Sequence, residues 1–91
     1  MRVRLYQADD AGALKYRTTL HVEPEDLDDA GDELVARNEV TVGDVAYMGD
    51  FFLRLDSTNP VRWTQLDARR PELKGLYGQA VAAEEAVAAY H

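Results

Sequence analysis

The hydrophobic pattern of this chain switches three times between strand-like and helical, and these switches constrain the fold more than any other feature. In residues 2–8 and 13–22 apolar and polar side chains alternate, over 25–38 they recur at helical spacing, over 40–66 β-prone runs return, and over about 71–90 an alanine-rich helical stretch follows. A chain that must bury strand faces and helical stripes is α+β. At 91 residues it has room for one core, so residues 1–91 are read as a single domain.

The elements follow from local chemistry. In residues 2–8, Val3 and Leu5 alternate with Arg2, Arg4 and Tyr6, which predicts a strand. Asp9-Asp10-Ala11-Gly12 is a turn. Residues 13–22 set Leu14, Tyr16, Thr18, Leu20 and Val22 on one side, predicting a hairpin with one buried face. Pro24 suits a first helical turn. At about 100° per residue, Leu27, Ala30, Gly31, Leu34 and Val35 share one arc of a helix over 25–38, and Glu25, Asp26, Asp28, Asp29, Asp32 and Glu33 take the other. Two Gly-Asp pairs then punctuate β-prone runs, and Gly49-Asp50 predicts a tight hairpin between Val45–Met48 and Phe51–Asp56. Val61–Leu66 reads as a further strand with Val61, Trp63 and Leu66 turned inward, and Arg69-Arg70-Pro71 opens an alanine-rich helix over about 71–90. The order is β-β-α-β-β-β-α, expected to form a small curved antiparallel sheet or partly open barrel.

This order and several short motifs resemble the YodL-like group of small plasmid- and phage-borne domains. The matching pieces are the acidic helix ending at Asn38, Thr41-Val42-Gly43-Asp44-Val45, Gly49-Asp50, Phe51–Asp56 and Trp63-Thr64-Gln65-Leu66, so the resemblance covers residues 1–66. It departs in the loop over 57–62 and in the C-terminal helix. It implies a fold and a mobile-element origin, and brings no catalytic motif. Arg outnumbers Lys eight to two and isoleucine is absent, as in proteins of high-GC genomes.

Charge is unevenly placed. The chain has 17 acids and 10 bases, and seven of the acids lie between Glu23 and Glu33 without a base among them. The rest balances, ten against ten. Such a segment repels nucleic acid and anionic membranes and attracts basic surfaces.

Catalytic chemistry finds little to work with. Cysteine is absent, which removes disulfides, thiolate metal sites and a cysteine nucleophile. Ser57 is the only serine; it sits in a turn, without the strand–elbow–helix setting of a nucleophile, and His21 is the one internal histidine. Asp26, Asp28, Gly31 and Asp32 echo a calcium loop, but Ala30 and Arg37 would fall where ligands are needed. His21 and Glu23 are too few ligands for a metal site. Neither Gly-Asp pair is glycine-rich or precedes a helix, so neither reads as a phosphate loop. No cofactor or metal is expected, and the chain is read as non-enzymatic. It has neither a run of apolar residues long enough to span a membrane nor the apolar centre of a signal peptide, so a cytoplasmic location is expected.

Three surfaces remain. The acidic helix (Glu25, Asp26, Asp28, Asp29, Asp32, Glu33) is the leading one, expected to dock a basic protein surface in the manner of anti-defence proteins of mobile elements. The alternative is a small barrel binding single-stranded nucleic acid through Tyr6, Tyr16, Tyr47, Phe52 and Trp63 with Arg2, Arg4, Arg17, Arg54 and Arg62. Net charge −7 opposes it, and nucleic acid is not expected as the partner. On the last helix Leu73, Leu76, Tyr77, Ala80, Val81 and Val87 form an apolar face with Glu84 in its middle, which needs an arginine partner if buried. Its other face, Gly75, Gly78, Ala82, Ala86 and Ala89, is short of charge, and Gly78, Ala82, Ala86 and Ala89 are the residues expected in a two-fold homodimer.

Overall fold

The computed structural model describes residues 1–67 and 69–89. It contains β1 (Arg2–Ala8), β2 (Leu14–His21), α1 (Leu27–Ala36), β3 (Val45–Met48), β4 (Phe51–Thr58), β5 (Val61–Leu66), a 3-10 turn (Pro71–Leu73) and α2 (Leu76–Ala89). The order is the expected one. The five strands form one antiparallel sheet, β2-β1-β3-β4-β5, open at both ends and not closed into a barrel.

Both faces of this sheet are covered. Val3 and Leu5 of β1, Ala46 and Met48 of β3 and Leu55 of β4 pack with Ala30 and Leu34 of α1. The opposite parity, Tyr6, Val45, Phe52 and Leu66, packs with Leu73, Leu76 and Ala80. The result is three layers, with α1 on one side and α2 on the other.

Covering both faces overturns the expected one-faced hairpin. Leu5 pairs with Thr18 but Tyr6 pairs with Tyr16, so Arg17 is an extra residue, a β-bulge. A one-residue insertion exchanges the faces of everything beyond it. Leu14 and Tyr16 therefore serve the α2 layer while Leu20 and Val22 serve the α1 layer. Leu66 likewise turns to the layer opposite Val61 and Trp63.

Turn chemistry fixes the joints. Gly49 (φ 57°) and Asp50 (φ 67°) are both left-handed, the type I′ geometry whose twist suits a two-residue hairpin. Asp44 is buried, and its carboxylate accepts from the Thr41 N–H at 3.0 Å, closing its own turn. The final helix does not run from Pro71 as expected. Gly75 takes φ 81°, and this left-handed step separates the 3-10 turn from α2.

Candidate interaction surface

Helix α1 is shorter than its periodicity suggests, and this sorts the acids. Asp26 is the N-cap; its side chain accepts from the Asp29 N–H at 3.3 Å. Glu25 precedes the helix and reaches the amino group of Met1 at 3.4 Å. Neither residue belongs to the helical acidic face, and Asp26 has a structural role there. Glu33 is half-buried. The exposed acids on the helix proper are Asp28, Asp29 and Asp32. Asp28 and Asp29 lie in the first turn, where the helix dipole favours negative charge. Among the described residues none of the three has an ion-pair partner.

The helix is seated by a glycine. A Cβ at Gly31 would lie 2.6 Å from Trp63 Nε1 and 3.0 Å from its Cδ1, so the indole of β5 packs against bare helix backbone. That indole N–H is buried with no hydrogen-bond partner among the described residues. Only glycine permits this approach, so Gly31 and Trp63 together set where the acids stand. A glycine inside an otherwise regular apolar arc was the sequence signal for it.

Tyr6, Tyr16, Tyr47 and Phe52 pack together in the α2 layer, while Trp63 lies on the other face. Tyr6 is buried, with Tyr16 edge-on to it at 6.0 Å, and Tyr47 and Phe52 pack at 4.7 Å. Burial pushes the Tyr6 phenol up to about 12, and its hydroxyl donates to the Leu76 carbonyl at 2.9 Å. Arg54 Nε donates to Asp56 at 2.8 Å, and the Thr64 hydroxyl donates to the same carboxylate. Trp63 packs against α1 and is partly buried.

On the α2 side a charged network ties the helix to the sheet. Glu84 accepts from Arg2 at 2.6 Å and from the Thr19 hydroxyl at 2.5 Å, and Arg4 Nε lies 3.5 Å away. Arg4 is also stacked over the Tyr77 ring, 4.7 Å from its centroid. The Thr19 hydrogen bond, with the charges of Arg4 and Arg2, holds the Glu84 carboxyl below the usual range despite partial desolvation. The arginine partner that Glu84 needs is thus present twice. Arg2 and Arg4 share strand parity with Tyr6, which in the sequence already placed them on one face.

Of the expected dimer residues, Gly78 and Ala82 are exposed on α2; Gly75, which the sequence set on the same helix face, precedes the helix. Ala86 and Ala89 lie outside the residues whose side chains are described, as does Val87. No group of three or more potential metal ligands occurs among the described residues, and no described helix is long and apolar enough to cross a membrane. No protein-family model, curated protein or solved structure matches the chain.

Proposed function

We propose that this is a non-enzymatic interaction module that binds a basic protein surface through the exposed face of α1. One observation carries the reading: Asp28, Asp29 and Asp32 stand exposed, with no ion-pair partner among the described residues, on a helix whose opposite face is locked to the sheet. A free acidic side chain on a mobile loop would lose rotational and backbone freedom on binding, whereas a seated helix has already lost most of it. Each exposed pair contributes only about 0.2–1 kcal/mol. The rigid row therefore acts chiefly by steering encounter and rejecting acidic partners. Rows of carboxylates can replace phosphates in a groove that normally holds nucleic acid, which suits an anti-defence role in a phage or plasmid protein, the origin that the YodL-like resemblance suggests.

The nucleic-acid alternative has weaker support. Single-strand binders stack bases on exposed aromatics, and here Tyr6 is buried, Tyr16 packs on it and Trp63 packs under α1.

The test is capture of basic proteins from a high-GC bacterial lysate at low and at high salt, with the natural chain and with Asp28→Lys/Asp29→Lys/Asp32→Lys. Salt-sensitive capture that the triple reversal abolishes is expected. Reversal in the first turn removes favourable dipole interactions of about 0.3–1 kcal/mol each, so the variant's fold is checked by circular dichroism. Capture that survives the reversal, or that ignores salt, overturns the reading.

A further inference from the structure

The sheet has two edges, and they differ. β2 lies under α2 and carries the Arg17 bulge, both of which blunt an edge. β5 has no bulge of its own, and no described strand pairs with its outer side.

The backbone groups on that outer side can be identified. The Leu55 N–H donates to the Asp44 carbonyl at 3.0 Å, and the Leu55 carbonyl accepts from the Gly43 N–H at 2.9 Å. Leu55 and its like-parity neighbours on β4 therefore bond towards β3, and Phe52 and Arg54 bond towards β5. The partners of these two in β5 are Leu66 and Thr64, which turn their backbone groups inward. Trp63 and Gln65 turn theirs to the open edge.

Helix α1 touches the same strand. Gly31 rests on Trp63, which lies on the last strand. At about 100° per residue, passing round α1 from buried Ala30 through Gly31 leads next to Val35, Asp28 and Asp32, whereas Asp29 and Glu33 lie on the opposite flank. Asp28 and Asp32 therefore lie on the flank of α1 next to Gly31, the flank nearer β5, and on the sheet face towards which the Trp63 side chain points. At the end of the β4–β5 ladder the edge runs into a cleft of about 500 Å³ lined by Asp50, Phe51, Gln65, Leu66 and Asp67. Phe51 there is 41% exposed, an apolar seat beside a carboxylate for a long basic side chain.

We propose that the open edge of β5, with Asp28 and Asp32 on the flank of α1 nearer to it, takes an extended segment of a basic partner protein as an added strand. This deepens, and rests on, the reading of α1 as a surface for a basic protein. Trp63 and Gln65 supply the main-chain hydrogen bonds, and the acids select side chains. An added strand alternates its side chains between faces. The segment is therefore basic at the positions facing α1 and uncharged at those between, which face the side that carries Arg62 and Thr64. A second copy of this chain is the wrong occupant: two-fold pairing of β5 with β5 would bring two sets of Asp28 and Asp32 together on one face. Nucleic acid is wrong also, since phosphates would meet the same carboxylates.

The probe is a short capped peptide of alternating Lys and Val, with a Glu–Val peptide as control. Binding is followed by fluorescence anisotropy, and the amides of Trp63 and Gln65 by NMR and hydrogen exchange on the natural chain. The Lys–Val peptide should bind, shift both amides and slow their exchange, and the Glu–Val peptide should not bind. Gln65→Pro removes an outward donor without touching the β4 ladder and should weaken binding by about tenfold or more. Asp28→Lys/Asp32→Lys should do likewise. The amide measurements stand without any variant, so a poorly folded Gln65→Pro chain does not remove the test. If the peptide binds but leaves both amides unmoved, or binds Gln65→Pro equally well, strand addition is overturned while the acidic surface stands. Equal binding of the Glu–Val peptide overturns the charge selection. Failure of the Lys–Val peptide alongside salt-sensitive capture of basic proteins overturns strand addition alone; failure of both overturns the two readings together.

Discussion

The Gly31–Trp63 contact makes a prediction whose sign depends on one neighbour. Replacing a helical glycine by alanine ordinarily stabilises by about 0.8–1 kcal/mol, through backbone entropy. Here the new Cβ would sit 2.6 Å from Trp63 Nε1, 3.0 Å from Cδ1 and 3.1 Å from Cε2, all on the five-membered edge of the indole. Real Cβ atoms do not approach so closely, so the ring or the helix must move. Overpacking of this kind costs about 1–3 kcal/mol. Gly31→Ala should therefore destabilise by about 0–2 kcal/mol. Trp63→Phe keeps an aromatic ring but removes the five-membered edge, and with it the unpartnered indole N–H. In that background Gly31→Ala should recover its ordinary gain of about 1 kcal/mol. The double-mutant cycle thus yields a coupling energy of about 1–3 kcal/mol. Urea unfolding followed by far-UV circular dichroism serves all four chains, since Trp63 is the only tryptophan and fluorescence would compare unlike probes. If Gly31→Ala alone stabilises by about 1 kcal/mol, α1 does not rest on the indole, and the placement of Asp28 and Asp32 on the flank nearer β5 loses its basis.

Three further outcomes are expected. The Tyr6 phenol is raised to about 12 by burial, so its contribution is complete below the ordinary value of 10.0 and is lost as pH rises from there towards 12. Tyr6→Phe should lower stability by about 1 kcal/mol at neutral pH, by orphaning the Leu76 carbonyl, and should flatten the loss between pH 10.0 and 12 in urea titrations. Glu84 is shifted the other way: its contribution is present above the usual carboxylate range and disappears as pH falls through the depressed folded value. Glu84→Gln should cost about 1 kcal/mol at pH 7, the partial exposure of Glu84 and Arg2 discounting the ion pair, and should lessen the acid dependence of urea midpoints. A homodimer on the exposed Gly78 and Ala82 face of α2 would give twice 10.2 kDa in sedimentation equilibrium at micromolar concentration and dissociate on Ala82→Glu, whereas a mass of 10.2 kDa throughout removes it.

The element order was legible because each period switch has one structural meaning, and the turns because Gly49-Asp50 and Asp44 carry their own backbone chemistry. The layer assignment was not. Leu14, Tyr16, Leu20 and Val22 alternate without a break, and a bulge at Arg17 leaves that alternation intact in the sequence while exchanging faces in space. A bulge is a property of the pairing between two strands, and the identity of its residue does not declare it. The same limit explains the acids. Glu25 and Asp26 continue the helical arc in projection, but the helix starts where Asp26 caps it, and capping depends on backbone angles that a helical wheel does not contain. What the sequence placed on one acidic face the structure divides by neighbour: Asp26 belongs to the helix end, Asp29 and Glu33 to one flank, and Asp28 and Asp32 to the flank beside Trp63. The division matters because a row of charges alone selects only the sign of a partner. Beside an open strand the same charges also select its conformation, since only an extended chain can satisfy the Trp63 and Gln65 backbone while presenting every second side chain to Asp28 and Asp32.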